Sequence, residues 1–147
     1  MIGIDIASID RIKKMYEKFG IKAYEKFLNP KEIELVKKPE TAAGFWAAKE
    51  AASKAIGTGI GAFCGFHDIK ISKTKLGAPK IKYKKRVRKA FGIKASHLSI
   101  SHDSGFVIAV VVNTFNTELN SLFSDRKNGV SGDVKIGCLI NKIFSVL

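Results

Sequence analysis

The spacing of apolar positions along the chain predicts an order of elements before any chemistry is considered. The opening residues alternate, with Ile2, Ile4 and Ile6 on one side of a strand and Gly3 and Asp5 on the other. Asp5 therefore leaves the strand beside a glycine. Ser8 stands at the N-cap of a helix in which Ile9, Ile12, Tyr16 and Phe19 recur at helical spacing, while Arg11, Lys13, Lys14 and Lys18 fill the remaining face. The stretch "NPKEIELVKKP" carries a second start signal: Asn29 as N-cap, Pro30 at the first helical position and Glu32 where a capping carboxylate belongs. It predicts a short helix that stops near Pro39. A third helix follows in "FWAAKEAASKAI" and runs into Gly57, Gly59 and Gly61. On a helical wheel Phe45, Ala48, Ala51, Ala52, Ala55 and Ile56 form one arc, and Trp46, Lys49, Glu50, Ser53 and Lys54 form the other. The small residues allow close packing.

Beyond the glycines, "HDIKISK" and "PKIKY" alternate as strands around a turn at Gly77, and "KKRVRKAFG" reads as a short basic helix closed by Gly92. "HLSISHDSGFVIAVVVN" predicts a hairpin: a strand to about His102, a turn through Asp103, Ser104 and Gly105, and a buried strand from Phe106 to about Val112. Strands and helices mix without regular βαβ alternation, which predicts an α+β fold, an antiparallel sheet packed with helices. From Thr117 the chain turns polar and glycine-punctuated before a short apolar end. The expected organisation is one domain over residues 1–116 and an appended extension over 117–147.

Length and composition agree with that picture, since 147 residues at 46% apolar suit one core. No stretch approaches the roughly 18 consecutive apolar residues of a membrane span, and the N-terminus lacks the layout of a signal peptide. The expectation is a cytoplasmic protein with no membrane partner. Cys64 and Cys138 have no ligand-type spacing to each other or to His67, His97 and His102, so neither a disulfide framework nor a zinc site is expected. The formal charge of +13 changes the picture more, because it calls for an acidic partner or substrate. Residues 1–116 hold 22 of the Lys and Arg against 10 of the Asp and Glu, so the basic function lies in the body.

Three features carry candidate chemistry. Asp5 and Glu50 are the carboxylates that half of a magnesium site needs, with substrate phosphates and water completing it. Lys54, one turn beyond Glu50, is placed to neutralise phosphate charge. The turn from Gly57 to Gly61 offers backbone amides that suit phosphates as well as a plain helix terminus. In "SISHD", Ser101 and His102 are neighbours on a strand and point to opposite faces, so no serine–histidine pair follows. His102 is left as a strand-end ligand contact or acid/base group, or as a turn histidine. A basic nucleic-acid-binding module is the rival class, and it explains the charge but not Asp5, Glu50 or the glycine turn.

In order along the chain, "GIDIASIDRI", "FLNPKE", "FWAAKEAASKAIGTGIG", "HDIKIS", "GAPKI" and "LSISHDSGFVIAVVV" resemble the holo-[acyl-carrier-protein] synthases. These are the small bacterial 4'-phosphopantetheinyl transferases, and the resemblance runs from Met1 to about Asn116. It implies a single-domain transferase that moves the 4'-phosphopantetheine arm of coenzyme A to a serine of an acidic apo-acyl carrier protein, with no role for nucleic acid. It also implies Mg2+ as cofactor, held by Asp5 and Glu50, and catalytic roles for Glu50 and Lys54. Glu50, or a water it shares with the metal, would take the serine proton. The resemblance further assigns Lys49, Ser53, Lys54, Gly57, Thr58, Gly59, Gly77, Pro79, His102 and Asp103 to the coenzyme A pocket. Arg11, Lys14 and Lys18 would dock the carrier protein, and the sites would lie at the interfaces of a homotrimer. Two departures stand out: Phe45 occupies a position where many members carry arginine, and the family usually ends near Asn116.

Overall fold

The structure, a computed structural model, describes residues 1–115; the expected extension over 117–147 and Cys138 lie outside them. Met1–Thr114 forms one compact unit. The chain runs β1 (Ile2–Ser8), α1 (Ile9–Phe19), α2 (Ile21–Glu25), α3 (Pro30–Ile33), α4 (Pro39–Ala55), β2 (Ile69–Lys73), β3 (Pro79–Tyr83), α5 (Lys85–Ala90), β4 (Ile93–Asp103) and β5 (Phe106–Phe115). One sheet has the order β1-β5-β4, with β1 and β5 antiparallel, and β2 pairs with β3 as a separate antiparallel hairpin. The α+β architecture is the expected one.

Local chemistry accounts for most boundaries. The Ser8 side chain accepts a hydrogen bond from the Arg11 backbone N–H at 3.3 Å and starts α1, which stops where Gly20 takes a φ of 59°. The following α2 was not expected, because five residues are too few to show a helical period; it is held by Tyr24, whose ring stacks on Tyr16. The helix begun at Pro30 is shorter than expected and ends at Ile33, while α4 starts at Pro39, six residues before Phe45, with proline in its first turn.

The central contact of the fold is β1 against α4. A Cβ added at Gly3 would lie 2.0 Å from the Ala51 carbonyl oxygen and 2.5 Å from the Ala55 nitrogen, so the strand touches the helix backbone itself. Ala47, Ala48, Ala51, Ala52 and Ala55 are all fully buried in or beside this contact. Gly3, Asp5 and Ala7 share the face of β1 that meets the helix, because successive strand residues alternate sides.

The other face of the sheet corrects the expected burial of β5. Val107, Ala109 and Val111 are buried, but Phe106, Ile108 and Val112 are exposed. The register sets Ile2, Ile4 and Ile6 opposite Val112, Val110 and Ile108, and the three isoleucines are 58–69% exposed. Among the described residues only one side of this sheet has a helix to pack on, and an apolar stripe is left exposed on the other.

Substitution of Gly3 by alanine should lower stability by about 3 kcal/mol or more, because backbone on both sides must move apart. Gly61→Ala is the control, since nothing lies within 4 Å of its added Cβ. Urea unfolding of both variants measures the difference, and equal midpoints would contradict this account of the contact.

Candidate active site

Because Gly3 brings β1 onto the backbone of α4, Asp5, two residues further along the same face, arrives beside the polar side of the helix. The Lys54 ammonium donates to Asp5 Oδ1 at 2.7 Å. Burial pushes the Glu50 carboxyl above the usual glutamate range, the negative charge of Asp5 pushes it the same way, and Lys54 and Arg11 pull it back. The bond to Asp5 raises the pKa of Lys54 and keeps its charge in place. Asp5, Glu50 and Lys54, assigned from two short motifs, thus converge at one place.

Arg11 belongs to this place as well. Its guanidinium lies 5.2 Å from the ring centroid of Trp46, one helical turn before Glu50. The sequence reading gave Trp46 no role beyond its side of α4. Lys14 instead pairs with Asp10 at 2.8 Å, and Lys18 sits over the ring of Phe19.

The donor set suits a hard dication. Two carboxylates share a partly buried position where the charge of Asp5 raises the cost of charging Glu50, and Mg2+ typically takes one or two carboxylates from a protein. Among the described residues no three of His, Cys, Asp and Glu converge, so the protein's share of such a site would be this pair. Cys64 is a buried free thiol, pushed up to about 11 chiefly by burial, and it contributes nothing there.

The glycine turn after α4 is a helix terminus rather than an amide cradle. The Gly57 N–H donates to the Lys54 carbonyl, and the Thr58 and Gly59 N–H groups both donate to the Ser53 carbonyl. The Thr58 hydroxyl donates to the Gly59 carbonyl at 2.9 Å. These three amides close the helix on its own carbonyls, as a left-handed glycine at φ 79° allows. A helix C-terminus also carries partial negative charge, so cations rather than amides must attract phosphate here. Lys54 supplies one.

Two of the residues assigned to the pocket are buried with internal partners. Lys49 is fully buried: its ammonium donates to Glu32 Oε2 and to the Phe27 carbonyl, both at 2.7 Å. Ser53 is also fully buried and donates to the Glu50 carbonyl within its own helix. The wheel grouped both with Glu50 and Lys54 by polarity, but a polar residue with an internal partner packs inward. The partner, Glu32, shows in the sequence only as a capping residue. Its carboxylate does cap Asn29 at 2.7 Å, and it also accepts the Ile71 backbone N–H at 2.6 Å.

Gly77, Pro79 and His102 meet elsewhere, in a cleft of about 380 Å³ between the start of α4, the β2–β3 hairpin and β4. Glu40, Thr41, Gly44 and Phe45 line its α4 side, and Lys73 its hairpin side. Phe45 is buried, so the cleft has an apolar wall where arginine is usual in the resembled family. Asp103 is exposed at the end of β4 and is not among the lining residues. Asp5, Glu50 and Lys54 do not line the cleft either. Thirteen residues of α4 separate Thr41 from Lys54, about 20 Å of helix.

The acidic pair, the lysine and the cleft stand in a chain that matches a known class of transferases. The 4'-phosphopantetheinyl transferase superfamily matches residues 1–111, and the chain belongs to it. A holo-[acyl-carrier-protein] synthase from Aliarcobacter butzleri is 82% identical over 113 residues, 77% of this chain and 96% of that protein. The synthase from Sulfurimonas denitrificans is 57% identical over 76% of this chain and 92% of its own length. Among solved structures, the Helicobacter pylori holo-[acyl-carrier-protein] synthase in complex with coenzyme A is similar with a TM-score of 0.75 and 51% identity, covering 78% of this chain and all of that one.

Lys49→Met should cost about 3–5 kcal/mol, the penalty for leaving a buried carboxylate unpaired, and Lys49→Met with Glu32→Gln should recover part of it. Chemical unfolding measures both. A stable Lys49→Met protein with weakened coenzyme A binding would restore the ligand role.

Proposed function

We propose that the chain transfers the 4'-phosphopantetheine group of coenzyme A to a serine hydroxyl of an apo-acyl carrier protein and releases adenosine 3',5'-bisphosphate. The observation that carries this reading is the Lys54–Asp5 bond beside Glu50, in a chain of the transferase superfamily. Asp5 and Glu50 would hold Mg2+, which when bound supplies charge neutralisation on the diphosphate and the leaving phosphate. Lys54, half exposed and anchored at Asp5, swings its ammonium to the diphosphate. Glu50 is the base, directly or through one water. Its raised proton affinity favours taking the serine proton, and its partial burial keeps the group apart from bulk solvent. The serine oxygen bonds to the phosphorus that bears pantetheine, the bond from that phosphorus to the bridging oxygen breaks, and the bisphosphate leaves with the electron pair. Arg11 stands at the rim of this site, where an acidic carrier protein would deliver its serine.

The assembly is part of the same proposal. The uncovered stripe of Ile2, Ile4, Ile6, Phe106, Ile108 and Val112 is the kind of apolar patch that marks a protein interface, and a homotrimer would bury it. The separation between the acidic pair and the cleft supports a pocket built from two copies, one giving Asp5, Glu50 and Lys54 and its neighbour giving Gly77, Pro79 and His102. No helix of the described residues is long and apolar enough to cross a membrane, and a cytoplasmic setting completes the proposal.

Intact mass of apo-acyl carrier protein after incubation with the chain, coenzyme A and Mg2+ should rise by one phosphopantetheine, and a chelator should abolish the gain. Asp5→Ala and Glu50→Ala should each lower turnover by about 100-fold or more with the fold retained, and Lys54→Ala should slow transfer with metal binding kept. Full turnover by either carboxylate variant would remove the metal assignment. In sedimentation velocity the unaltered chain should run as a trimer and an Ile4→Lys, Ile108→Lys variant as a folded monomer lacking turnover. A trimer in that variant would refute the interface.

A further inference from the structure

The positive charge of this chain is not concentrated where the first helix would put it. On α1, Lys14 pairs with Asp10, Lys13 approaches Glu17 at 3.9 Å, and Arg11 is stacked on Trp46. Residues 70–94, by contrast, contain eleven Lys and Arg and no Asp or Glu. All eleven are exposed. Lys84 and Arg86 pair with Asp68, while the other nine have no ion pair among the described residues.

The fold turns these charges outward on consecutive elements. In β2 and β3, Ile69, Ile71, Ile81 and Tyr83 are buried, so Lys70, Lys80 and Lys82 share the outward face. The register sets Lys70 directly opposite Lys82, an arrangement of like charges that weakens a strand pair. Next along the chain, Val87 buries one side of α5 and leaves Lys85, Arg88 and Lys89 outside. The fold thus keeps an electrostatically costly face that the proposed chemistry does not use.

We propose that the outer face of the β2–β3 hairpin and α5 is an electrostatic capture surface for the acidic acyl carrier protein, separate from α1. The inference rests on the carrier protein being the acceptor. Coenzyme A does not account for the face, because of the nine unpaired cations only Lys73 lines the cleft. Single-stranded nucleic acid fits it less well: between 70 and 94 Tyr83 is buried and Phe91 partly so, and the exposed ring of Phe63 stands at its edge, where Arg86 donates to the Phe63 carbonyl, rather than among the lysines of the hairpin. A protein of opposite charge needs no such ring. A one-sign field over a surface raises its encounter rate and acts over about 8–10 Å at ordinary salt.

The test is a Lys70→Gln, Lys80→Gln, Lys82→Gln variant, with Lys22→Gln, Lys31→Gln, Lys37→Gln as a control of equal net charge. Apo-acyl carrier protein association is followed on a biosensor at low and high salt, and KM is measured separately for carrier protein and coenzyme A. The hairpin variant should associate about tenfold more slowly at low salt, with a flatter salt dependence and a raised KM for carrier protein. Its kcat and its KM for coenzyme A should not change, and the control should lose far less. Unchanged association, equal losses in the control, or a shift confined to the KM for coenzyme A would each overturn the proposal. So would tighter binding of DNA than of carrier protein through the same lysines. Failure of the unaltered chain to modify any carrier protein would instead count against the proposed reaction, and the biosensor would still decide whether the face binds carrier protein.

Discussion

The approach of Gly3 to the backbone of α4 is the constraint on which the rest depends. A strand and a helix normally keep the distance that their side chains impose, but here one side chain is missing and its partners are alanines. The result is that Asp5 reaches a helix whose next turns carry Glu50 and Lys54. A carboxylate on a strand and a carboxylate on a helix then share one partly buried position, and Lys54 bonds to the first. The proposed catalytic group is in this sense a consequence of packing. Residues that contribute no chemistry set the distance at which the chemistry becomes possible.

Depth alone does not fix the rotation of α4, because a helix lined with alanine has little shape to lock. The buried pair of Lys49 and Glu32 supplies that lock. Its five hydrogen bonds join α4 to the Phe27 carbonyl, to the start of α3 and to β2, and Lys49 directly precedes Glu50 in the chain. With Lys49 held inward, Glu50 turns toward Asp5. A buried ion pair adds little net stability relative to a well-packed apolar pair, so its value here is orientational.

Most elements were legible because their signals are local. Ser8, Asn29 and Pro30 announce helix starts, Gly77 and Gly105 announce turns, and alternation in "HDIKISK" and "PKIKY" announces the hairpin. The acidic pair was legible through motifs whose order along the chain is specific. What escaped the sequence depends on partners far away in it. Polarity on a helical wheel cannot distinguish Lys49, which has Glu32 waiting inside, from Lys54, which has Asp5 at the surface. Glycines after a helix look alike whether their amides are free or spent on Ser53 and Lys54 carbonyls. A run such as Phe106 to Val112 reads as buried on both sides when only one side has a helix to cover it.

The two surfaces of the chain divide the remaining work by physical range. The apolar stripe acts only at contact, where removing water from Ile2, Ile4 and Ile6 stabilises whatever covers them, and it suits a permanent partner of fixed geometry. The cationic face acts before contact and is weakened by salt, which suits a substrate that must arrive, react and leave. Tight binding through many ion pairs would oppose release of the modified carrier protein, so a capture surface works best when its lysines stay hydrated and unpaired. The absence of acidic residues between 70 and 94 keeps that field undiluted, while the few ion pairs on α1 moderate charge near the site where the acceptor serine must be positioned rather than merely attracted.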